Sequence, residues 1–209
     1  MDNILNCQPI ALDRPRGAHR LEAFSLKAGR RLTLYRESAL DQWVMLEADP
    51  AVTALCERPG FVQSGEKRYL VDFWVRYFDR QELVILFDSD AELAIEPHVI
   101  LDAARLTIRS IQPSDIAAAR AWIGNWKRML PCLIATRGLV PSSLSSAIER
   151  FIARPHRLLS IEREFTTGDP VLVRAAVFGL LHAGRVQALE LRTHELSLLT
   201  EFVAVGEQS

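Results

Sequence analysis

Apolar positions fall into two rhythms along the chain. Up to about residue 130 they come mostly in short runs of strand type. From Pro131 onward Leu, Ala and Arg recur at helical spacing. The clearest strand signal is Tyr69 to Asp90, YLVDFWVRYFDRQELVILFDSD. Leu70 to Phe78 is rich in β-branched and aromatic residues, and Leu83 to Phe87 is continuously apolar, as in a strand buried on both faces. Asp79-Arg80-Gln81 separates them, which predicts a hairpin. Before it, Leu32 to Tyr35 reads as a short strand. Leu40, Trp43, Val44 and Leu46 follow at helical spacing, with Ser38 as N-cap, Asp41 at N3 and Asp49-Pro50 as the stop. Ala51 to Cys56 and Gly60 to Gln63 read as strand and connector, and Gln63 to Lys67 as a turn.

Beyond the hairpin, Ala91 to Ala104 is weakly helical with a break at Pro97. Leu106 to Arg109 is strand-like, and Pro113 opens a helix running through Trp126. In the last third, a helix capped by Ser142 or Ser143 carries Leu144, Ile148, Phe151 and Ile152 on one face. Leu159 to Phe165 forms a second helix. Asp169-Pro170 starts a third, which ends at Gly184 as a C′ glycine. Val186 to Leu191 and Glu201 to Val205 read as two closing strands. Three helices and a two-stranded wing predict a winged helix-turn-helix. The expected division is residues 1–130, an α/β domain, and 131–209, the winged-helix domain.

Asp72 breaks the apolar hairpin. An unpaired polar group in such a position costs roughly 2–7 kcal/mol and a charge more, so Asp72 must be paired, hydrogen-bonded or metal-bound. Tyr69-Leu70-Val71-Asp72-Phe73, a hairpin and a second strand resemble the core of the PD-(D/E)xK restriction-endonuclease fold. They look most like the TnsA-type endonuclease subunits of heteromeric transposases. Upstream, Ser25-Leu26-Lys27-Ala28-Gly29-Arg30 resembles the family's S-x-K-x-G-R, and Glu37-Ser38-Ala39-Leu40-Asp41 its E-S-x-L-E. Leu46-Glu47-Ala48-Asp49-Pro50-Ala51-Val52 resembles L-E-x-D-P-x-V, and Glu57-Arg58-Pro59 stands where that family has E-Q-P. The likeness spans about residues 20–205 and rests on order and spacing.

The resemblance implies an α/β, restriction-endonuclease-like mixed sheet flanked by helices, followed by the winged-helix domain. It implies a metal and catalytic set of Asp41, Asp72 and Asp88 holding Mg²⁺, the metal activating water and stabilising the developing oxyanion. Asp72 then faces an open metal site, and its loss is expected to cost little stability. The pattern departs from the family at two points. The first acid is shortened from Glu to Asp41. The family's E-x-K falls on Leu86-Phe87-Asp88 or Ile85-Leu86-Phe87, neither of which contains a lysine. The chain's lysines are Lys27, Lys67 and Lys127, and Lys67, in the turn before the hairpin, reads either as a turn residue or as a displaced catalytic lysine.

Three functions therefore stay open. One is a TnsA-like subunit of a transposition complex whose nuclease activity is impaired or lost and which docks on DNA or on a co-encoded DDE-type transposase. Another is an active Mg²⁺-dependent endonuclease nicking transposon ends. The third is a DNA-binding regulator on the same scaffold.

Composition narrows the partners. The 209 residues carry a formal net charge of −1, with 49% hydrophobic and 24% charged residues. That is ordinary for a globular protein and unlike a chain that coats nucleic acid. DNA contacts are expected to be local: Arg14, Arg16 and Arg20 in the N-terminal arm, with Lys27, Arg30 and Arg31. The third helix of the last domain offers Arg174 as its one long polar side chain, which favours docking on a protein over reading bases. Cys7, Cys56 and Cys132 have neither zinc nor disulfide spacing. With no signal peptide and no apolar run of membrane-spanning length, no membrane partner and a cytoplasmic location are expected.

Overall fold

A computed structural model describes residues 8–64, 66–89, 106–165 and 169–206. The expected helix over 91–104 and Cys7 lie outside the described residues. The chain divides into two compact units, Met1–Glu47 with Ala51–Ala118, and Ala48–Pro50 with Ala119–Ser209.

The first unit is mixed α/β. A hairpin of β1 (Leu21–Ser25) and β2 (Arg30–Leu34) leads into α1 (Glu37–Ala48). Then come β3 (Ala54–Ser64), β4 (Lys67–Arg76), β5 (Gln81–Leu86) and β6 (Leu106–Ile111), in sheet order β3-β4-β5-β6. The first two pairings are antiparallel and β5–β6 is parallel. α2 (Pro113–Ala118) follows. From Glu82 onward β5 is buried at every residue, as its unbroken apolar run predicts. Cys56, Val62, Val71, Trp74, Leu83, Ile85 and Ile108 pack into one core cluster.

Several local expectations change. The sequence pattern has no clear signal for β1, because Leu21-Glu22-Ala23-Phe24-Ser25 offers little β-branched residue. What holds the β1–β2 hairpin is Glu47, fully buried at the end of α1. Its carboxylate accepts from the Ser25 hydroxyl at 2.6 Å and from the amides of Leu26 and Lys27 at 3.0 and 3.1 Å. Ser25 Oγ accepts in turn from the Ala28 amide, and Gly29 takes a left-handed φ of 66° to close the turn.

Helix α1 begins at Glu37, and the Arg36 carbonyl accepts from the Leu40 amide at 3.1 Å. Arg36, not Ser38, is therefore the capping position, and Asp41 lies in the second turn rather than at N3. β3 is one continuous strand with a register shift between Glu57 and Gly60. Pro59 cannot donate to a ladder, and the bulge absorbs it, with Arg58 at a positive φ of 45°.

The second unit holds α3 (Arg120–Ala135), α4 (Ser142–Phe151), α5 (Leu158–Glu164) and α6 (Pro170–His182). A small sheet joins β7 (His156–Arg157), β9 (Glu201–Ala204) and β8 (Val186–Gln187), with β9 central. Fully buried Trp126, Met129, Ile148, Ile152, Ile161 and Phe202 form its interior. The start of α6 follows the sequence signals: the Asp169 carboxylate accepts from the Val171 amide at 2.9 Å, and Pro170 stands at N1. Gly184 has φ 73°, as a C′ glycine should. α4 differs, since its N-cap is Pro141 and no side chain caps it. The strand expected over Val186 to Leu191 stops at Gln187, and a 3-10 turn at Leu189–Arg192 replaces its end. Asn125 fixes this turn and the loop beyond it. Its Nδ2 donates to the carbonyls of Leu191 and His194, and its Oδ1 accepts from the Leu196 amide.

Candidate functional site

The site lies at the end of the β4–β5 hairpin distal to its turn. The regular β4–β5 ladder is registered from Arg76↔Gln81 to Phe73↔Val84. Beyond it the side chain of Asp72 substitutes for a backbone acceptor, and Asp72 Oδ2 takes the Leu86 amide at 2.7 Å. The other face of β5 stays closed, because the Phe87 amide bonds the Ile111 carbonyl. The hairpin thus opens towards α1 with a carboxylate at the fork.

The Arg36 side chain fills that fork from the N-terminus of α1. Its Nη2 donates to Asp72 Oδ1 at 2.5 Å, and its Nη1 to Asp88 Oδ1 at 3.0 Å and to the Leu86 carbonyl at 3.4 Å. One guanidinium therefore faces three oxygen acceptors. Asp72 is only 7% exposed, so its carboxylate is a buried acid with both oxygens committed. Burial pushes its pKa above the ordinary 3.8, and the Arg36 charge and the Leu86 amide oppose that shift without cancelling it. Arg36 moves up, because the attraction of Asp72 and Asp88 outweighs its own burial.

Around this clamp is a pocket of about 400 Å³, lined among others by Arg58, Arg68, Tyr69 and the arm residues Leu12 and Asp13. The Ile10 amide donates to the Arg58 carbonyl at 2.9 Å, which ties the arm to the bulge of β3. The Arg58 guanidinium sits 5.4 Å from the Tyr35 ring centre and donates to the Thr33 carbonyl. Arg68 covers the Phe61 ring at 4.0 Å.

Of the three expected acids, the structure brings Asp72 and Asp88 together through Arg36 and leaves Asp41 out. Ala39 lines the pocket and Asp41 does not. Two residues along a helix turn a side chain through about 200°, so Asp41 points to the other side of α1. Among the described residues no three His, Cys, Asp or Glu side chains form a group able to hold a metal ion. The residues present therefore do not fit the Mg²⁺ ion that the resemblance implies, since an arginine stands between the two acids. The expectation that Asp72 faces an open metal site is corrected in the same way: it is buried and fully hydrogen-bonded. Lys67 is exposed at the start of β4 and does not line the pocket.

The expected DNA-contacting cations separate into three groups. Lys27 Nζ donates to the Leu46 carbonyl at 3.1 Å, and Arg30 forks onto the buried Glu57 at 2.6 and 2.9 Å. Both hold the β1–β2 hairpin in place. Arg20 pairs with Glu22 at 2.5 Å on the surface. Arg14, Arg16 and Arg31 are exposed.

Sequence reasoning did not single out Arg36, Arg58 or Arg68. The signal for Arg36 was indirect. A strand carboxylate needs a counter-charge, and Arg36 stands immediately before α1, which precedes the hairpin.

No helix among the described residues is long and apolar enough to cross a membrane. No protein-family model matches the chain, and no curated protein is similar enough to count as a match.

Proposed function

We propose that this chain is a TnsA-like subunit of a DNA transposition complex that does not cut DNA itself and docks on DNA or on a partner transposase. The observation that supports it best is the Arg36 clamp on Asp72 and Asp88. A hydrolytic metal site needs an open coordination position between its acids. Here a fixed cation occupies that position, no lysine lines the pocket, and Asp41 faces away.

The second unit supports docking over base reading. If α4, α5 and α6 with β8 and β9 form a winged helix, α6 is its third helix. It buries Val173, Ala175, Ala176, Val177, Phe178, Leu180 and Leu181, and its Arg174 is held by Glu162 at 2.5 Å. Little remains on that helix for base edges.

Plasmid nicking in Mg²⁺ and in Mn²⁺, alone and with a co-encoded transposase, tests the reading. The expected result is no nicking by this chain, and none lost from the complex when Asp72 is changed to Asn. Cutting that Asp72→Asn abolishes would establish an active endonuclease instead.

Exposed Arg14, Arg16 and Arg31 are the expected phosphate contacts. Three contacts give a slope of log K against log salt near −2.7, at about −0.9 per phosphate. Binding to duplex DNA should be weak, in the roughly 10⁻⁴–10⁻⁶ M range of non-specific association. Fluorescence anisotropy on two unrelated duplexes measures both quantities. Tight binding to one duplex, lost on Arg174→Ala, would make α6 a reading helix.

A further inference from the structure

We propose that the second unit carries a binding site for a small amphipathic carboxylate, an apolar body ending in one acid group. The site is a pocket of about 470 Å³ between α3, the start of α5, α6 and the loop before β9. That lies within the roughly 300–1,000 Å³ of small-molecule sites. Leu158, Val171, Phe178 and Leu198 give it apolar walls, and Val171 and Leu198 remain exposed there. Arg128 and Arg174 add two cations, and among the described residues no acid lines the pocket. An apolar lining with a cationic rim selects a ligand that is apolar at one end and anionic at the other.

The wall that the loop supplies is fixed before any ligand arrives. The Leu196 amide donates to Asn125 Oδ1 at 2.8 Å, and the Ser197 amide to the Thr200 hydroxyl oxygen at 2.9 Å. The Leu198 carbonyl accepts from the Leu159 amide at 2.9 Å. Binding therefore costs little ordering of the loop.

Both arginines already show that they take a carboxylate. Arg128 Nη1 and Nη2 each donate to Glu195 Oε2 at 3.1 Å, and that glutamate side chain is 81% exposed. Such a solvated pair is weak, and an acid held by its own apolar body displaces it. Arg174 gives Nε and Nη2 to Glu162, which leaves Nη1 for a further acceptor among the described residues. The Cys132 thiol donates to the Val171 carbonyl at 3.8 Å. Burial raises its pKa against the pull of Arg174, so the thiol stays neutral and sets no anion beside the ligand's head. Because each arginine is partly neutralised by its glutamate, the rim suits one acid group and not a polyphosphate.

The inference does not rest on the proposed function, and its test contains no DNA. The full chain is mixed with decanoate below its micelle concentration. Alkylation of Cys132 by iodoacetamide is read by peptide mass spectrometry, with buried Cys56 as internal control, and affinity by isothermal titration calorimetry. Decanoate should slow the labelling of Cys132 and leave Cys56 unchanged, while methyl decanoate and decylamine should protect neither. Arg128→Gln and Leu198→Asp should each weaken decanoate at least about tenfold, the scale of a lost charge-assisted hydrogen bond. Glu195→Gln should instead bind decanoate about two- to fivefold more tightly, because it releases the Arg128 fork. That gain is read whether or not the two weakened variants fold. Decanoate that leaves Cys132 unprotected, an ester or amine that binds as well as the acid, or Glu195→Gln that binds no more tightly would overturn the proposal.

Discussion

Changing Glu47 to alanine is expected to lower the stability of the first unit by about 3–5 kcal/mol, as removal of a buried, multiply bonded acid does. Glu47 has no exposed surface, and its two oxygens take three donors: the Ser25 hydroxyl and the amides of Leu26 and Lys27. Alanine leaves two backbone amides at the turn without this acceptor, and an unmet buried donor costs about 1–3 kcal/mol each. Glu47→Gln keeps the volume and one acceptor oxygen, so it should cost roughly half as much. The loss should concentrate in β1 and β2, because those amides belong to the turn between them. Urea unfolding gives the size, and hydrogen exchange at Ala23 and Leu32, paired across the hairpin, gives the place. A loss under about 1 kcal/mol would mean that Glu47 does not organise the hairpin.

Ser25, Gly29 and Glu47 also show what the sequence could reveal. Their spacing was legible as motif, and each has a structural task. Ser25 and Glu47 close the same turn from two elements, and Gly29 supplies its left-handed residue. The β4–β5 hairpin and the parallel strand after it were legible because apolar runs and turn residues act locally. β1 was not legible, because its stability comes from a carboxylate 21 residues away from Leu26 in the chain. The continuous β3 was hidden by Pro59, which argues against a strand until a bulge at Arg58 accommodates it.

The candidate site was half legible. Asp72 announced itself as a carboxylate in an apolar strand that needed a partner. The identity of the partner did not, since Arg36 meets Asp72 across 36 residues and Asp88 across 52. Asp41 stands two helical positions, about 200°, from Ala39, and only Ala39 of the two lines the pocket. Its place in the resembled motif says nothing of whether it and Ala39 face the same way. Asn125 is a similar case. Its three bonds to Leu191, His194 and Leu196 reach a turn that no local pattern predicts.

Arg36→Met is expected to destabilise the first unit by about 3 kcal/mol at neutral pH, and Asp72→Asn is expected to rescue most of that loss. Breaking a buried ion pair costs about 3–5 kcal/mol when a charge is stranded. The Arg36 side chain is 35% exposed while that of Asp72 is 8% exposed, so the lower end applies. Methionine keeps the aliphatic bulk and removes the charge, while the Leu86 amide still donates to the Asp72 carboxylate. Asparagine at 72 carries no charge to strand, and its side-chain oxygen still accepts from that amide. Asp72→Asn alone should therefore lie within about 1 kcal/mol of the native protein, and the two substitutions should couple by about 2 kcal/mol.

The pH dependence has a fixed sign. The folded-state pKa of Asp72 already lies above 3.8, so the folded protein takes up this proton before the unfolded chain does. Lowering the pH through that pKa thus relieves a cost, and stability from this group rises as pH falls. Without Arg36 the carboxyl loses an attraction that held its pKa down, and the relief begins at higher pH. The penalty of Arg36→Met should be largest near neutrality and shrink on acidification, while the variant that also carries Asp72→Asn should show no such change. Urea unfolding of all four proteins at about pH 7 and about pH 5 measures this. A penalty equal at both pH values, or one that Asp72→Asn leaves in place, would mean that Arg36 stabilises the fork by packing and not as the counter-charge of Asp72.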